Sequence, residues 1–259
     1  MKYKISKSKF ETVRGGKTIR GIEYRPEGEN LPVVIVSHGF LANYQTTKHY
    51  VEQFARWGYL SYCFDFVGGG IGIKSDGKLS EMTVLTENED LKAVIEYAKS
   101  VSYSDEGNVT LMGCSQGGFV SAMVASDLKD EINRLILFYP ALCIPDDARS
   151  GKMMVFKFDS ENIPEKIKFG PLCLGGDYAR AVVNMDPYEE ISGYKGPVFL
   201  SHGDEDGIVN VSYAYKAKET YGENCTLQII EGAHHMFSGK YDKMAIAALK
   251  EFLNISPNE

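Results

Sequence analysis

The residue of this chain whose surroundings most clearly indicate chemical reactivity is a serine in a glycine-containing turn. Residues 113–117 read Gly-Cys-Ser-Gln-Gly, the Gly-x-Ser-x-Gly pattern of a nucleophile elbow. An apolar run precedes the pattern, and residues 119–125 can continue it as a buried helix. A strand, a sharp turn and a helix in this order would lift the Ser115 hydroxyl above a sheet, and the two glycines leave room for the turn. The pattern predicts that Ser115 is a nucleophile.

A serine nucleophile needs partners, because its hydroxyl attacks at neutral pH only when a base accepts the proton and an acid orients that base. After an elbow of this type, the acid and then the base follow along the chain. Two predicted strands, 197–201 and 226–230, each run into polar loops at their carboxyl ends, where an open α/β sheet places its site. The candidates are three successive carboxylates and two adjacent histidines: Asp204, Glu205 and Asp206, and His234 and His235. Position in the fold alone leaves the choice within each group open.

The elements that would position these residues alternate between strands and helices. Residues 32–37 form a β-branched run typical of a strand buried on both faces of a parallel sheet. Residues 2–24 alternate polar and apolar side chains around a turn at 14–17, which predicts an antiparallel hairpin at a sheet edge. The other predicted elements are strands at 59–64, 108–113, 134–139, 197–201 and 226–230, and helices at 47–57, 83–100, 211–221 and 241–253. This alternation predicts the α/β class, with a doubly wound, mostly parallel sheet.

The alternation breaks in the middle of the chain. Between residues 140 and 196, prolines, methionines and aromatic residues follow one another without a clear order of strand and helix. We expect residues 141–195 to form a cap (lid) inserted above the sheet, and we call them the cap segment. Residues 1–140 and 196–259 would then form the core.

The loops that carry the polar residues resemble those of α/β-hydrolases with a serine nucleophile, in particular bacterial cinnamoyl and feruloyl esterases. The resembling segments are residues 38–40 (His-Gly-Phe), 113–117, 202–206 (His-Gly-Asp-Glu-Asp) and 232–237 (Gly-Ala-His-His-Met-Phe). The resemblance covers nearly the whole chain and implies the α/β-hydrolase fold. The family's His-Gly-x-x-Asp pattern places the acid on Asp206, and its Gly-Ala-x-His-x-Phe pattern places the base on His235.

An acyl-transfer site also needs donors for the oxyanion. We expect these to be the backbone N–H groups of Phe40, in the early strand-to-helix loop, and of Gln116, directly after the nucleophile. His38 and His202 precede glycines at strand ends and are interpreted as structural residues that bond loop backbone. Residues 68–72 are glycine-rich but have no Gly-Lys-Ser/Thr, so we interpret them as a loop near the site rather than a phosphate cradle. In the related esterases this loop is shorter.

The cap segment would decide the substrate. In cinnamoyl esterases an acid and a tyrosine of the insertion bind the phenolic hydroxyl of the substrate, and the resemblance places these roles on Asp147 and Tyr178. Two other interpretations stay open: Asp147 could be an exposed turn or helix-cap residue, and Tyr178 a core aromatic of the cap segment.

Composition narrows the class of partner. The chain has 28 basic and 35 acidic residues and a net charge of −7, which argues against nucleic acid and against an anionic membrane surface. No apolar run approaches the length of a membrane span, and the five cysteines show no close pairs, so we expect a cytoplasmic protein with reduced thiols. We expect a small-molecule ester as the ligand and neither a metal nor another cofactor. Monomer and homodimer both stay open.

These observations predict a carboxylic-ester hydrolase that works through an acyl-enzyme on hydroxycinnamoyl (feruloyl or cinnamoyl) esters. A short-acyl carboxylesterase and a monoacylglycerol-type lipase are the nearest alternatives. A serine aminopeptidase and a ligand-binding protein without catalytic activity are more distant ones.

Overall fold

The computed structural model describes residues 3–255. In this part of the chain the strands and α-helices follow one another in the order β1 (Ile5–Arg14), β2 (Lys17–Pro26), β3 (Leu31–Ser37), α1 (Lys48–Arg56), β4 (Leu60–Asp65), α2 (Val84–Ser100), β5 (Ser104–Cys114), α3 (Gln116–Asp127), β6 (Ile132–Phe138), α4 (Ile144–Ser150), β7 (Lys152–Met153), β8 (Phe156–Lys157), β9 (Lys166–Phe169), β10 (Leu172–Gly175), α5 (Gly176–Val182), α6 (Pro187–Ile191), β11 (Val198–Gly203), α7 (Ser212–Tyr221), β12 (Cys225–Ile230) and α8 (Lys240–Phe252).

One sheet of eight strands organises the molecule, in the order β1-β2-β4-β3-β5-β6-β11-β12. Strands β1, β2 and β4 pair antiparallel, and every pairing from β4 to β12 is parallel. The strand order runs outward in two directions from β3 and β5, as a doubly wound sheet requires. The predicted fold class is therefore confirmed.

The hairpin at the sheet edge forms as its sequence predicts. Gly15 and Gly16 connect β1 and β2 with φ of +55° and +76°, values that glycine adopts without steric cost. A two-residue turn with two positive φ angles matches the twist of the flanking strands. Arg14 therefore pairs with Lys17, and the register continues to Ile5 opposite Pro26.

The central strands divide the core between the two faces of the sheet. Successive residues of β3 belong to different clusters of buried side chains: Val33 and Ile35 to one, Val34 and Val36 to the other. The first cluster, which we call the cap-side core, includes side chains of α2, α3, α7 and the cap segment. The second, which we call the far core, includes side chains of α1 and α8.

Strand β5 differs from its predicted bounds. It begins at Ser104, not at residue 108, because Ser104 and Asp105 pair with the start of β3 before the register shifts between Pro32 and Val33. Residues 106–108 read Glu-Gly-Asn, a turn-like sequence, and the irregularity accommodates them within the strand. Strand β6 ends at Phe138, because Tyr139 has a φ of +39°.

The cap segment contains α4, α5, α6 and two small hairpins, β7 with β8 and β9 with β10. Its buried side chains, Phe156 and Leu174 among them, join the cap-side core. Within residues 3–255, no helix is both long enough and apolar enough to cross a lipid bilayer.

Candidate active site

Ser115 lies at the sharp turn between the end of β5 and the start of α3. Its φ is +54° and its ψ −121°, a conformation that costs a serine about 1–3 kcal/mol. Two of its backbone hydrogen bonds reach outside the turn and α3: the Ser115 N–H donates to the Phe138 carbonyl at 3.0 Å, and the Ser115 carbonyl accepts from the Ala141 N–H at 2.9 Å. The neighbouring strand and the start of the cap segment therefore fix the serine in this conformation.

The glycines around Ser115 are required by close backbone approach. A Cβ on Gly113 would collide with the Gly117 carbonyl, and a Cβ on Gly117 would collide with the His38 carbonyl. A Cβ on Gly39 would lie only 3.1 Å from the Cβ of Ser115. The loop after β3 thus packs directly against the serine, as an oxyanion hole built from that loop requires.

Ser115, His235 and Asp206 form one hydrogen-bonded chain. His235 Nε2 lies 3.0 Å from Ser115 Oγ, and His235 Nδ1 lies 2.7 Å from Asp206 Oδ2. Asp206 follows β11 and His235 follows β12, and these strands are parallel neighbours, so their carboxyl ends meet at one edge of the sheet. Both side chains are nearly inaccessible to solvent. This arrangement can move a proton between the serine hydroxyl and the imidazole.

The surroundings of Asp206 favour its charged form. Oδ1 accepts hydrogen bonds from the N–H groups of Ile208 and Val209, each at 2.9 Å. Burial acts to raise the pKa of this carboxyl, but the hydrogen bonds from His202 and His235 outweigh burial and hold the pKa below its usual range. Asp206 therefore faces the imidazole as a carboxylate at neutral pH.

The other acid and base candidates face elsewhere. Asp204 Oδ1 accepts a hydrogen bond from the Gly232 N–H at 2.7 Å, and Glu205 is exposed. The exposed His234 has its Nδ1 2.9 Å from the Glu205 carbonyl. Of the five candidates, only Asp206 and His235 join the chain to Ser115.

His38 and His202 bond loop backbone, as the sequence predicts. His38 Nδ1 donates to the Gly39 carbonyl at 2.8 Å while its Nε2 accepts from the Phe66 N–H at 3.2 Å. Burial lowers the pKa of His38, so the ring is neutral. The fully buried His202 has its Nε2 2.9 Å from the Val209 carbonyl and 3.3 Å from Asp206 Oδ2.

The backbone N–H groups of Phe40 and Gln116 are placed as oxyanion donors should be. Gln116 is the first residue of α3, so its N–H has no acceptor within the helix and lies at the positive end of the helix dipole. Phe40 follows Gly39 in the loop that packs against Ser115. Within the described residues, neither N–H donates a hydrogen bond.

Two clefts meet at Ser115. The first, which we call the cap-side cleft, measures about 370 Å³ with its open mouth and is lined by Phe40, Ser115, Gln116, Ala141, Cys143, Ile144, Asp147, Met153, Met154, Tyr178, Ile208 and Val209. The opposite cleft, of about 820 Å³, lies on the His235 side and is lined among others by His49, Tyr50, Tyr139 and Met236. Ser115 therefore lies on the wall of both clefts.

Asp147 and Tyr178 both lie on the wall of the cap-side cleft. Asp147, on α4, is half-buried, and burial raises the pKa of its carboxyl. Tyr178, on α5, is buried, and its hydroxyl donates a hydrogen bond to Gln116 Oε1. The cap segment thus contacts the residue directly after Ser115.

The glycine-rich loop packs behind the oxyanion loop. Gly70 forms an isolated bridge with Leu41, and the Ile71 N–H donates to the Leu41 carbonyl at 3.2 Å. A Cβ on Gly70 would collide with the Ala42 carbonyl. The loop therefore supports the backbone beside Phe40.

Two residues near the site were not predicted from the sequence. The Tyr139 ring lies edge-on to the His235 ring, with a centroid distance of 4.8 Å, and its position directly after β6 could have indicated it. Glu87, on α2, is fully buried and accepts a hydrogen bond from Gln116 Nε2 at 2.6 Å. An acidic residue in the first turn of a helix has an ordinary explanation in the helix dipole, so its pattern gives no such signal.

The chain is similar to a known protein family and to several known proteins. Residues 28–168 match the family described as serine aminopeptidase, S33. Protein usf of Aquifex pyrophilus is 27% identical over 168 residues, which cover 61% of this chain and 68% of that protein. The structure of Est1E from Butyrivibrio proteoclasticus with ferulic acid bound matches with a TM-score of 0.86 and 27% identity, over 95% of this chain and 98% of that one.

A monoacylglycerol lipase of Paleococcus ferrophilus shares the fold, with a TM-score of 0.68 and 18% identity, over 98% of this chain and all of that one. The family match and the similarity to Est1E confirm the predicted resemblance to α/β-hydrolase esterases. The chain belongs to the serine aminopeptidase S33 family of α/β hydrolases.

Proposed function

We propose that the protein is a serine carboxylic-ester hydrolase that works through an acyl-enzyme and acts on hydroxycinnamoyl esters. The observation that carries the proposal is the chain from Ser115 Oγ through His235 to Asp206, with distances of 3.0 and 2.7 Å. It lies where two clefts meet beside two free backbone donors. The similarity to Est1E supports the choice of acyl group.

The first half of the reaction forms the acyl-enzyme. Ser115 Oγ attacks the ester carbonyl carbon while its proton passes to His235 Nε2, and Asp206 stabilises the resulting imidazolium through Nδ1–H. The carbonyl oxygen becomes an oxyanion, which the N–H groups of Phe40 and Gln116 bind. When the tetrahedral intermediate collapses, His235 returns the proton to the leaving alkoxide, so that an alcohol departs.

The second half removes the acyl group. Water enters where the alcohol left, His235 Nε2 takes one of its protons, and the hydroxide oxygen attacks the acyl carbon. The second tetrahedral intermediate collapses by breaking its bond to Ser115 Oγ, which regains the proton from His235. The products are one carboxylic acid and one alcohol for each ester and water consumed.

The polar wall of the cap-side cleft supports a substrate that donates a hydrogen bond there. The Tyr178 hydroxyl already donates its proton to Gln116, so its oxygen can only accept from a ligand. An ionised Asp147 is also only an acceptor. A phenolic hydroxyl on an otherwise apolar acyl group fits a cleft whose other walls include Phe40, Ile144 and Met153.

The first test compares catalytic efficiency on methyl ferulate and on p-nitrophenyl butyrate. We expect higher efficiency on methyl ferulate, and we expect Ser115→Ala and His235→Ala each to lower turnover on both esters by at least about a thousandfold. His234→Ala is the matched control and should keep full activity, because His234 faces the Glu205 carbonyl. A Ser115→Ala variant that stays active would exclude the mechanism, and turnover of butyrate alone would exclude the hydroxycinnamoyl substrate.

A second test addresses the cap segment. Asp147→Asn should lower catalytic efficiency on methyl ferulate by about tenfold, the loss of roughly 1.4 kcal/mol of hydrogen bonding to a charged acceptor, and leave butyrate unaffected. Asp146→Asn is the control, because Asp146 pairs with Arg149 and Tyr213 instead. Equal effects of the two substitutions would contradict a role of Asp147 in binding the phenol.

One observation favours aminopeptidase activity as a second candidate. Asp147 is a half-buried carboxyl in the cap-side cleft, and it could pair with the α-ammonium of an aminoacyl substrate. The description of the matched family points to the same activity. Hydrolysis of an aminoacyl p-nitroanilide with an efficiency above that for methyl ferulate would favour this candidate over the esterase.

A further inference from the structure

A buried carboxyl lies behind the nucleophile and takes no part in the proposed steps. Glu87 is fully buried in the first turns of α2. Its Oε2 accepts a hydrogen bond from Gln116 Nε2 at 2.6 Å, while its Oε1 has no partner within the described residues. Burying a carboxyl with one unsatisfied oxygen is costly, and an apolar side chain would fill this position at lower cost. This cost indicates that the hydrogen bond between Glu87 and Gln116 has a role in the molecule.

The hydrogen bond from Gln116 belongs to a longer chain. At the other end of the same amide, Gln116 Oε1 accepts from the Tyr178 hydroxyl. The Tyr178 ring in turn packs against the Phe40 ring, with a centroid distance of 5.3 Å. Phe40 and Gln116 are the two residues whose N–H groups are placed to bind the oxyanion, and Tyr178 contacts both.

The anchored amide restrains the backbone of Gln116. This residue directly follows Ser115, whose strained φ leaves the intervening peptide without the support of regular helix geometry on its N-terminal side. A side chain held at both ends, by Glu87 and by Tyr178, limits how the residue can rotate. The direction of the Gln116 N–H is then fixed before the substrate arrives, which is the condition for electrostatic stabilisation without reorganisation.

We propose that Glu87 is a positioning residue for the oxyanion hole, acting through the side chain of Gln116. The inference rests on the proposed function, because it gives the N–H of Gln116 its role in that reaction. Glu87 does not touch the substrate. It supplies the acceptor that sets the orientation of the Gln116 amide, so that Nε2 faces α2 and Oε1 faces Tyr178.

The protonation of Glu87 is consistent with this task. Burial raises the pKa of this carboxyl well above its ordinary value, which favours its neutral form. A neutral acid can accept the hydrogen bond from Gln116 without placing a negative charge behind a developing oxyanion. Glutamine has the same shape and the same acceptor oxygen, so it can replace Glu87 in this role, whereas leucine cannot.

The experiment compares Glu87→Leu and Glu87→Gln with Asn88→Leu as a matched control. Asn88 is the next residue of α2, is also buried, and faces Asp127 instead of Gln116. Two quantities would be measured for each variant: the steady-state kinetics on p-nitrophenyl butyrate, and the affinity for benzeneboronic acid, which forms a tetrahedral adduct on a serine. We expect Glu87→Leu to lower kcat about ten- to a hundredfold with KM within twofold, and to weaken boronate binding by a similar factor.

The controls separate positioning from general stability. Glu87→Gln should retain kcat within about threefold, and Asn88→Leu should not change kcat or boronate affinity. Gln116→Leu removes the link itself, so it should show the same loss as Glu87→Leu, and the double variant should lose no more than either alone. If Glu87→Leu does not fold, Gln116→Leu alone must show the loss of kcat and of boronate affinity for the positioning role to stand.

The outcomes also separate this inference from the proposed function. Wild-type kcat in both Glu87→Leu and Gln116→Leu, or a Glu87→Gln variant as impaired as Glu87→Leu, would overturn the positioning role. If Ser115→Ala is inactive in the same assay, the serine mechanism stands despite that result. An active Ser115→Ala variant would instead overturn the mechanism and this inference together.

Discussion

Two buried carboxyls near Ser115 have pKa values shifted in opposite directions because their donors differ. Asp206 accepts hydrogen bonds from His202, from His235 and from two backbone N–H groups, and these hold its pKa below the usual range despite burial. Glu87 receives one hydrogen bond, from Gln116, and burial raises its pKa. A negative charge is therefore favoured beside the imidazole that would become positive in the proposed reaction, and it is disfavoured behind the N–H groups that would bind an anion.

The raised pKa of Glu87 makes stability depend on pH. In the unfolded chain this carboxyl returns to its ordinary value of 4.5. Below that pH both states hold the proton, and above it only the unfolded chain releases it, so the folded protein loses stability as pH rises. The Glu87→Gln variant cannot ionise at this position. We therefore expect its free energy of unfolding to exceed that of the wild type by an amount that grows by up to about 1.4 kcal/mol per pH unit above roughly pH 5.

Urea unfolding of both proteins at pH 5, 6 and 7 measures this difference. Other buried acids, such as Asp90, are present in both proteins, so their contributions to the pH dependence of stability largely cancel. Asn88→Leu should differ from the wild type by an amount that does not change with pH. A constant difference between Glu87→Gln and the wild type would mean that the Glu87 carboxyl ionises normally in the fold.

At the scale of elements, the turn from β5 to α3 limits which substitutions the site can tolerate. Gly113→Ala would force a Cβ into the Gly117 carbonyl, at the point where α3 packs on the strand. We expect this substitution to destabilise the protein by at least about 1–3 kcal/mol and to reduce kcat at least about a hundredfold, because the turn carries both Ser115 and the N–H of Gln116. Denaturant unfolding and ester turnover give the two values.

A second glycine on the same strand provides the control for that prediction. A Cβ on Gly107 would meet its nearest neighbour, Asp105 Oδ1, at 3.6 Å, an ordinary contact. Gly107→Ala should therefore leave stability within about 0.5 kcal/mol and kcat unchanged. If the two alanine variants behave alike, close approach at Gly113 is not what the turn requires.

The elements that could be predicted from the sequence are those with long patterns. Continuous β-branched runs such as residues 32–37, and the helical spacing of Leu91, Val94, Ile95 and Ala98, give signals over many residues, and all of these helix positions are buried. Strands β7 to β10 have only two to four residues each, too few for a periodicity to develop. The order within the cap segment therefore could not be predicted.

The same reasoning explains which site residues could be predicted. Ser115, Asp206 and His235 each follow a recognisable strand within a glycine-containing motif, so their meeting at one edge of a parallel sheet follows from topology. The contact of Glu87 with Gln116 depends on how α2 packs against α3, and the contact of Tyr178 depends on how the cap segment folds. Neither packing relation has a local sequence signal.

For the whole molecule, the cap segment and the sheet share one hydrophobic core. Phe156 is fully buried in the cap segment and belongs to the same cluster as Ile35 of the central strand β3. On the other face of the sheet, the far core contains Trp57, the only tryptophan of the chain. A rigid sheet with packed layers on both faces is expected to unfold as one cooperative unit. A substitution that removes packing on one face should therefore lower the stability of both faces.

Phe156→Ala tests this cooperativity from the face opposite the tryptophan. The substitution leaves a cavity in the cap-side core and should lower the free energy of unfolding by about 3–5 kcal/mol. We expect the unfolding transitions seen by Trp57 fluorescence and by far-ultraviolet circular dichroism to move together to lower denaturant and to stay coincident, because local loss of the cap segment cannot occur without opening the shared core. Val155→Ala, an exposed neighbour in the same hairpin, should shift neither transition appreciably. An early dichroism change with an unmoved Trp57 transition would instead mean that the cap segment unfolds separately from the sheet, and the hydrogen bond between Tyr178 and Gln116 would then join two independently stable parts.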